Sequence, residues 1–195
     1  SVVSSFFRDT MKMDKVDGFF GNMLRGFVKG FQPFADQGVR PFTGAHNILG
    51  SDAIVVIGAD PQEEAPVAAS YIRVSTIIER AKLINLSAGK NPFDGITDAD
   101  IRAALGGEME KALISLRVAV EGGDEPEDPG MKEAARILRE ARKPVFVIGS
   151  GLAEHPALVT EALNLAVASK AFFDDGLGAV PMLRGGNCLG ALNTV

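Results

Sequence analysis

Short apolar runs punctuate the chain and predict its strands. Ala53–Ile57, Lys82–Leu86 and Val145–Ile148 are continuous rather than alternating in polarity, as in parallel strands buried on both faces. Between them, apolar positions recur at helical spacing. Pro61 to Arg80 reads as one helix, with Pro61 in its first turn and Glu63 and Glu64 at the positive end of its dipole. Thr97 or Asp98 can cap a second helix, which carries Ile101, Leu105, Met109, Leu113, Leu116 and Val120. Met131–Arg142 and Pro156–Ser169 read as further helices. "KAFFDD" (170–175) reads as a short strand, and 176–195 as a glycine-rich tail. The alternation predicts an α/β fold: three layers, doubly wound, with a mainly parallel, Rossmann-like sheet.

The chain is expected to divide into a covering segment (1–45) and an α/β core (46–195) within a single domain. In the covering segment a short helix is expected near Ser4 to Met11. Gly18, Gly21, Gly26 and Gly30 predict poor regularity after it. Phe19, Phe20, Met23, Leu24, Phe27, Val28 and Phe31 are too many for a solvated loop. They pack either on the domain's own sheet or on a partner. In the second case the isolated chain self-associates through this segment and through 179–195.

Composition narrows the function. The 195 residues are 46% hydrophobic and 23% charged, which fits a globular chain with a real core. A net charge of −5 argues against a nucleic-acid partner. No apolar run has the length of a membrane span, so direct membrane insertion is not expected. Ser1 to Phe7 shows no secretory pattern, which makes the cytoplasm the expected compartment. The sequence starts without methionine and is expected to be a fragment of a larger subunit. Cys188 is the single cysteine, so neither an internal disulfide nor a four-thiolate iron–sulfur cluster can form.

The candidate chemistry lies in the turns after the strands. Gly58, Gly149 and Gly151 stand where a doubly wound sheet binds ligands, and each allows close approach of the backbone. Any strand-to-helix turn also benefits from glycine, so a purely structural role stands beside the binding one. "GSGLAEH" lacks the third glycine of the dinucleotide fingerprint, since Glu154, just before His155, occupies that place. Asp60, Glu63 and Glu64 would repel phosphate if they faced the turn. His46 and His155 have no second ligand at metal-binding spacing, and Cys188 reads as a small buried filler. Ser150 is not in a nucleophile elbow, because in "IGSGL" Ile148 and Leu152 stand where G-x-S-x-G requires glycines.

Three pieces in order resemble the molybdopterin oxidoreductase family, and within it the branch formed by the large, molybdopterin-like subunit of NADH-quinone oxidoreductase (respiratory complex I). "AIVVIGADPQEEAPVAASYIR" is similar to the family's strand followed by G-x-N-P-x-x-x-x-P, and Glu64-Ala65-Pro66 and Arg73 lean toward the complex I branch. "KPVFVIGSGL" resembles the second strand and glycine turn. "AVPMLRGGNCLGALNTV" resembles the R-G-x-N-x-x-G-A loop near the pterin cofactor. The resemblance spans most of 39–195. It implies a cofactor rim of Gly58, Asp60, Pro61, Gly149, Gly151, Arg184, Gly185 and Asn187, in vestigial form.

The departures from the family pattern carry equal weight. Asp60 replaces the usual asparagine, and "MKMDKVDGFFGNMLRGFVKG" holds no cysteine to ligate molybdenum. The resemblance therefore implies a non-catalytic domain of a respiratory electron-transfer subunit. No cofactor is expected in this chain, and the iron–sulfur clusters would belong to the parent subunit. The expected partners are other domains and subunits of the complex, which would place the chain at the periphery of the inner membrane. The alternative is a domain of a molybdenum or tungsten enzyme, such as formate dehydrogenase, holding molybdopterin guanine dinucleotide. A third reading is an independent nucleotide-binding domain.

Overall fold

A computed structural model of the chain describes residues 21–38, 42–173 and 175–182, with side chains described from Gly26 onward. The central element is β1 (Ala53–Ile57), whose five residues are all buried. On one side it pairs with β2 (Lys82–Ser87), and β2 pairs in turn with β3 (Ala99–Arg102). On the other side it pairs with β4 (Pro144–Gly149), and β4 pairs with β5 (Ala179–Met182). All four pairings are parallel and the spatial order is β3-β2-β1-β4-β5. Val55 faces Ile84 on one neighbour and Phe146 on the other. The expected doubly wound α/β architecture is present, with helices on both faces of the sheet.

The alternation of side chains along each strand splits the core in two. Val55, Ile57, Ile84, Leu86, Phe146 and Ile148 point to one face. That face is covered by α1 (Gly21–Ala35), α4 (Gly107–Val120), α5 (Pro129–Glu140) and α6 (Pro156–Ala168). Ile54, Val56, Leu83, Val145 and Val147 point to the other. There the cover is thinner: α3 (Pro66–Ile77), a 3-10 turn at Ala45–Ile48, and Phe93 from the β2–β3 loop.

Four local expectations need correction. Residues 21–35 form a regular helix despite their glycines. Gly26 faces the turn before α6, where a Cβ would strike the Ala153 carbonyl, and Gly30 faces α6 itself, where a Cβ would meet Val159 and the Pro156 carbonyl. The Thr160 hydroxyl donates to the Gly30 carbonyl at 2.8 Å. The glycines serve helix contact, and Phe27 is fully buried in the domain's own core. The expected Ser4–Met11 helix lies outside the described residues.

The helix expected from Pro61 to Arg80 is divided into α2 (Pro61–Glu64) and α3. Pro66 has no N–H to continue the ladder, and Ala65 takes an extended φ of −153°. Residues 99–102 are a strand rather than the start of a helix. Ala99 and Ile101 are buried while Asp100 and Arg102 are exposed, a period of two. The Asp98 carboxylate accepts from the Leu83 N–H at 3.0 Å and ties this strand's start to β2. Finally, 170–173 and 175 are turn and bend, and the strand lies later, at β5. Lys170 adopts a positive φ of 61°, and the Gly178 N–H returns to the Ala171 carbonyl at 2.8 Å before β5 begins.

Candidate functional site

The sheet order reverses direction between β1 and β4, and their carboxyl ends open into a cleft of about 470 Å³. This is where an open α/β sheet presents its ligand site. Asp60, Glu64, Lys90, Ser150, Glu154 and His155 are among the side chains around it.

β1 stops at Gly58, whose φ of +56° is left-handed. Its N–H donates to the Leu86 carbonyl at 2.9 Å, and its carbonyl accepts from the Gly151 N–H at 3.2 Å. A Cβ at Gly58 would collide with the Leu152 side chain. Gly149 ends β4 so close to Ala59 that no side chain fits between them. The two strand ends are thus locked together by backbone contact, with Leu152 fully buried beneath them.

The chain then turns into α2. Asp60 is its cap: one carboxylate oxygen accepts from the N–H groups of Gln62 and Glu63 at 3.2 and 3.3 Å. Pro61 occupies the first helical position and is buried. Glu63 points to solvent and does not line the cleft, while Glu64 turns back into it. One Glu64 oxygen accepts from the Ser150 N–H at 3.0 Å. The other accepts from the Ser150 hydroxyl at 2.8 Å and the Asp60 N–H at 3.3 Å.

A third wall is the loop after β2. Asn91 is buried, and its amide nitrogen donates to the Ala59 carbonyl at 3.1 Å and to Asn85 at 3.2 Å. Arg102 holds the same loop from below. It reaches Asp94 and Asp100, both at 2.7 Å, and donates to the Ser87 hydroxyl at 2.8 Å. The hydrogen bond from Arg102 holds the Asp94 carboxyl below its ordinary value.

Of the residues expected to form a rim, Gly58, Asp60 and Gly151 line the cleft. Pro61 and Gly149 lie behind it as packing positions. Arg184, Gly185 and Asn187 lie outside the described residues. Glu64, Ser150, Lys90 and Asn91 were not foreseen as site residues.

The described donor set does not fit a pyrophosphate. The Ser150, Gly151 and Asp60 amides already serve Glu64 and Gly58, and the acids Asp60, Glu64 and Glu154 outnumber Lys90. A phosphate would have to displace a bound carboxylate and then sit among like charges. Among the described residues no group of three or more His, Cys, Asp or Glu side chains is placed to hold a metal ion. No described helix is long and apolar enough to cross a membrane.

No protein-family profile matches the chain, and no curated protein matches it. Among solved structures, it is similar to a chain of the formyltransferase/hydrolase complex from Methylorubrum extorquens, determined with methylofuran bound. The TM-score is 0.61 at 18% identity, over 90% of this chain and 47% of that one. The likeness is one of fold, and this chain spans about half the length of its neighbour.

Proposed function

We propose that the chain is a non-catalytic, molybdopterin-oxidoreductase-like domain of a respiratory electron-transfer subunit, of the kind found in the large, molybdopterin-like subunit of NADH-quinone oxidoreductase. Its role is to hold neighbouring domains and subunits in place. The observation that carries this reading is the seat of Glu64. Its carboxylate takes the Ser150 N–H and hydroxyl and the Asp60 N–H, donors that a bound phosphate would otherwise claim. The cleft persists as a shape, and its donors are spent on joining the β1 and β4 turns.

Three further features support the reading. The parallel order β3-β2-β1-β4-β5 suits the family's α/β domains. The three resembling sequence pieces occur in the family's order. The structural neighbour belongs to a multi-subunit complex, in keeping with a life among partners. The rival is a domain of a molybdenum or tungsten enzyme that holds its pterin cofactor jointly with other domains. Elemental analysis of the full-length parent, purified anaerobically, separates the two. Iron without molybdenum or tungsten is the expected result. Either heavy metal at one equivalent per chain would overturn the proposal.

A further inference from the structure

Glu64 sits in the cleft as a ligand would. The two Ser150 donors grip its carboxylate like a fork, the N–H on one oxygen at 3.0 Å and the hydroxyl on the other at 2.8 Å. The Asp60 N–H adds a third bond, to the second oxygen, at 3.3 Å. Nearby acids are held differently: Asp94 and Asp100 both pair with Arg102. Among the described residues no lysine or arginine pairs with Glu64, so hydrogen-bond donors hold its charge. The frame behind these donors does not depend on the Glu64 side chain. The Gly151 N–H is tied to the Gly58 carbonyl at 3.2 Å, and Gly149 is packed on Ala59. The seat is also accessible, since Glu64 and Ser150 are half-buried and both line the cleft of about 470 Å³.

We propose that the three donors form a binding site for small monocarboxylates, and that Glu64 is its built-in occupant. The inference rests on the reading of the cleft as one closed by its own side chain. In the native chain Glu64 competes as part of the molecule, at an effective concentration that a dilute external acid does not match, so the site stays shut. Glu64→Ala removes a CH2–COO⁻ fragment, which has the size and shape of acetate. It leaves the Ser150 N–H and hydroxyl without partners, and a ligand that satisfies them gains what their orphaning costs. Acetate returns the same single negative charge beside Asp60 and Glu154, whereas inorganic phosphate at neutral pH brings more. A planar carboxylate also matches donors aimed at two separate oxygens.

Chemical rescue in urea unfolding of the 195-residue chain tests this. The quantity read is the gap in midpoint between Glu64→Ala and the parent in the same salt, which cancels the general effects of acetate and phosphate on stability. Sodium acetate should close most of the gap and level off in the millimolar range, as binding to the folded state requires. Sodium chloride and sodium phosphate at matched ionic strength should leave the gap open. Adding Ser150→Ala to Glu64→Ala removes the hydroxyl donor and should weaken the acetate dependence several-fold. A Glu64→Ala chain too weak to fold alone should fold when acetate is added, so the test holds in that case too. A gap that acetate leaves unchanged, or closes no better than phosphate, overturns the proposal and makes Glu64 a structural bridge only. So does a rescue indifferent to Ser150→Ala. Neither result bears on molybdenum or tungsten in the parent, which elemental analysis decides separately.

Discussion

Glu64 bridges turns that lie 86 residues apart in the chain, so removing it should be felt well beyond its own helix. Glu64→Ala strands the Ser150 N–H and hydroxyl in a half-buried place and is expected to cost about 1–3 kcal/mol, the usual penalty for orphaned donors. Glu64→Gln keeps an acceptor for the Ser150 N–H and should cost less. Urea unfolding of the two variants checks the order. Asp60 makes a different kind of bond, since its carboxylate caps α2 locally. Asparagine caps a helix equally well, so Asp60→Asn should change stability by a few tenths of a kcal/mol, whereas Asp60→Ala should lose about 1 kcal/mol. Aspartate rather than asparagine at this cap is therefore neutral for the fold and adverse for phosphate. The glycines and Asp60 were legible as a turn because turn chemistry is local. The role of Glu64 was not, because it depends on Ser150, which only the crossover between β1 and β4 brings near.

Among the elements, β1, β2 and β4 announced themselves as continuous apolar runs because both their faces are covered. β3 was hidden because its outward residues are Asp100 and Arg102, and because Ile101 and Leu105 mimic one turn of the helix that follows. α1 was hidden by its glycines, whose low helix propensity is offset by close packing on α6. Gly26→Ala should therefore destabilise the fold by about 1–3 kcal/mol, as overpacking does, although alanine favours isolated helices. Thermal unfolding gives the sign. The loop that bounds the cleft responds to pH through Asp94. Its carboxyl is held below the ordinary 3.8 by the hydrogen bond from Arg102, so the folded chain binds that proton less readily than the unfolded one. The stabilisation is present above pH 3.8 and is lost as pH falls through the depressed folded value. Glu79 behaves alike below its ordinary 4.5, held by the Gly50 N–H first and the Ser75 hydroxyl second. Arg102→Met should thus be less stable than the parent at neutral pH, and the gap should narrow in acid. A gap that widens in acid would contradict this sign.

At the scale of the molecule, among the described residues one face of the sheet carries four helices and the other a single long one. The alternation of strands and helices made the parallel, doubly wound sheet legible in the amino-acid order alone. The uneven cover was not, because it follows from the short β2–β3 loop, where Asn85, Asn91 and Arg102 form a polar network in place of a crossover helix. The same sheet order sets the cleft at the β1/β4 reversal, and the chain's own Glu64 takes its donors. Calorimetric titration of the 195-residue chain with guanosine diphosphate tests that closure most directly. No heat of binding at millimolar nucleotide is the expected result; a stoichiometric site of micromolar affinity would contradict it.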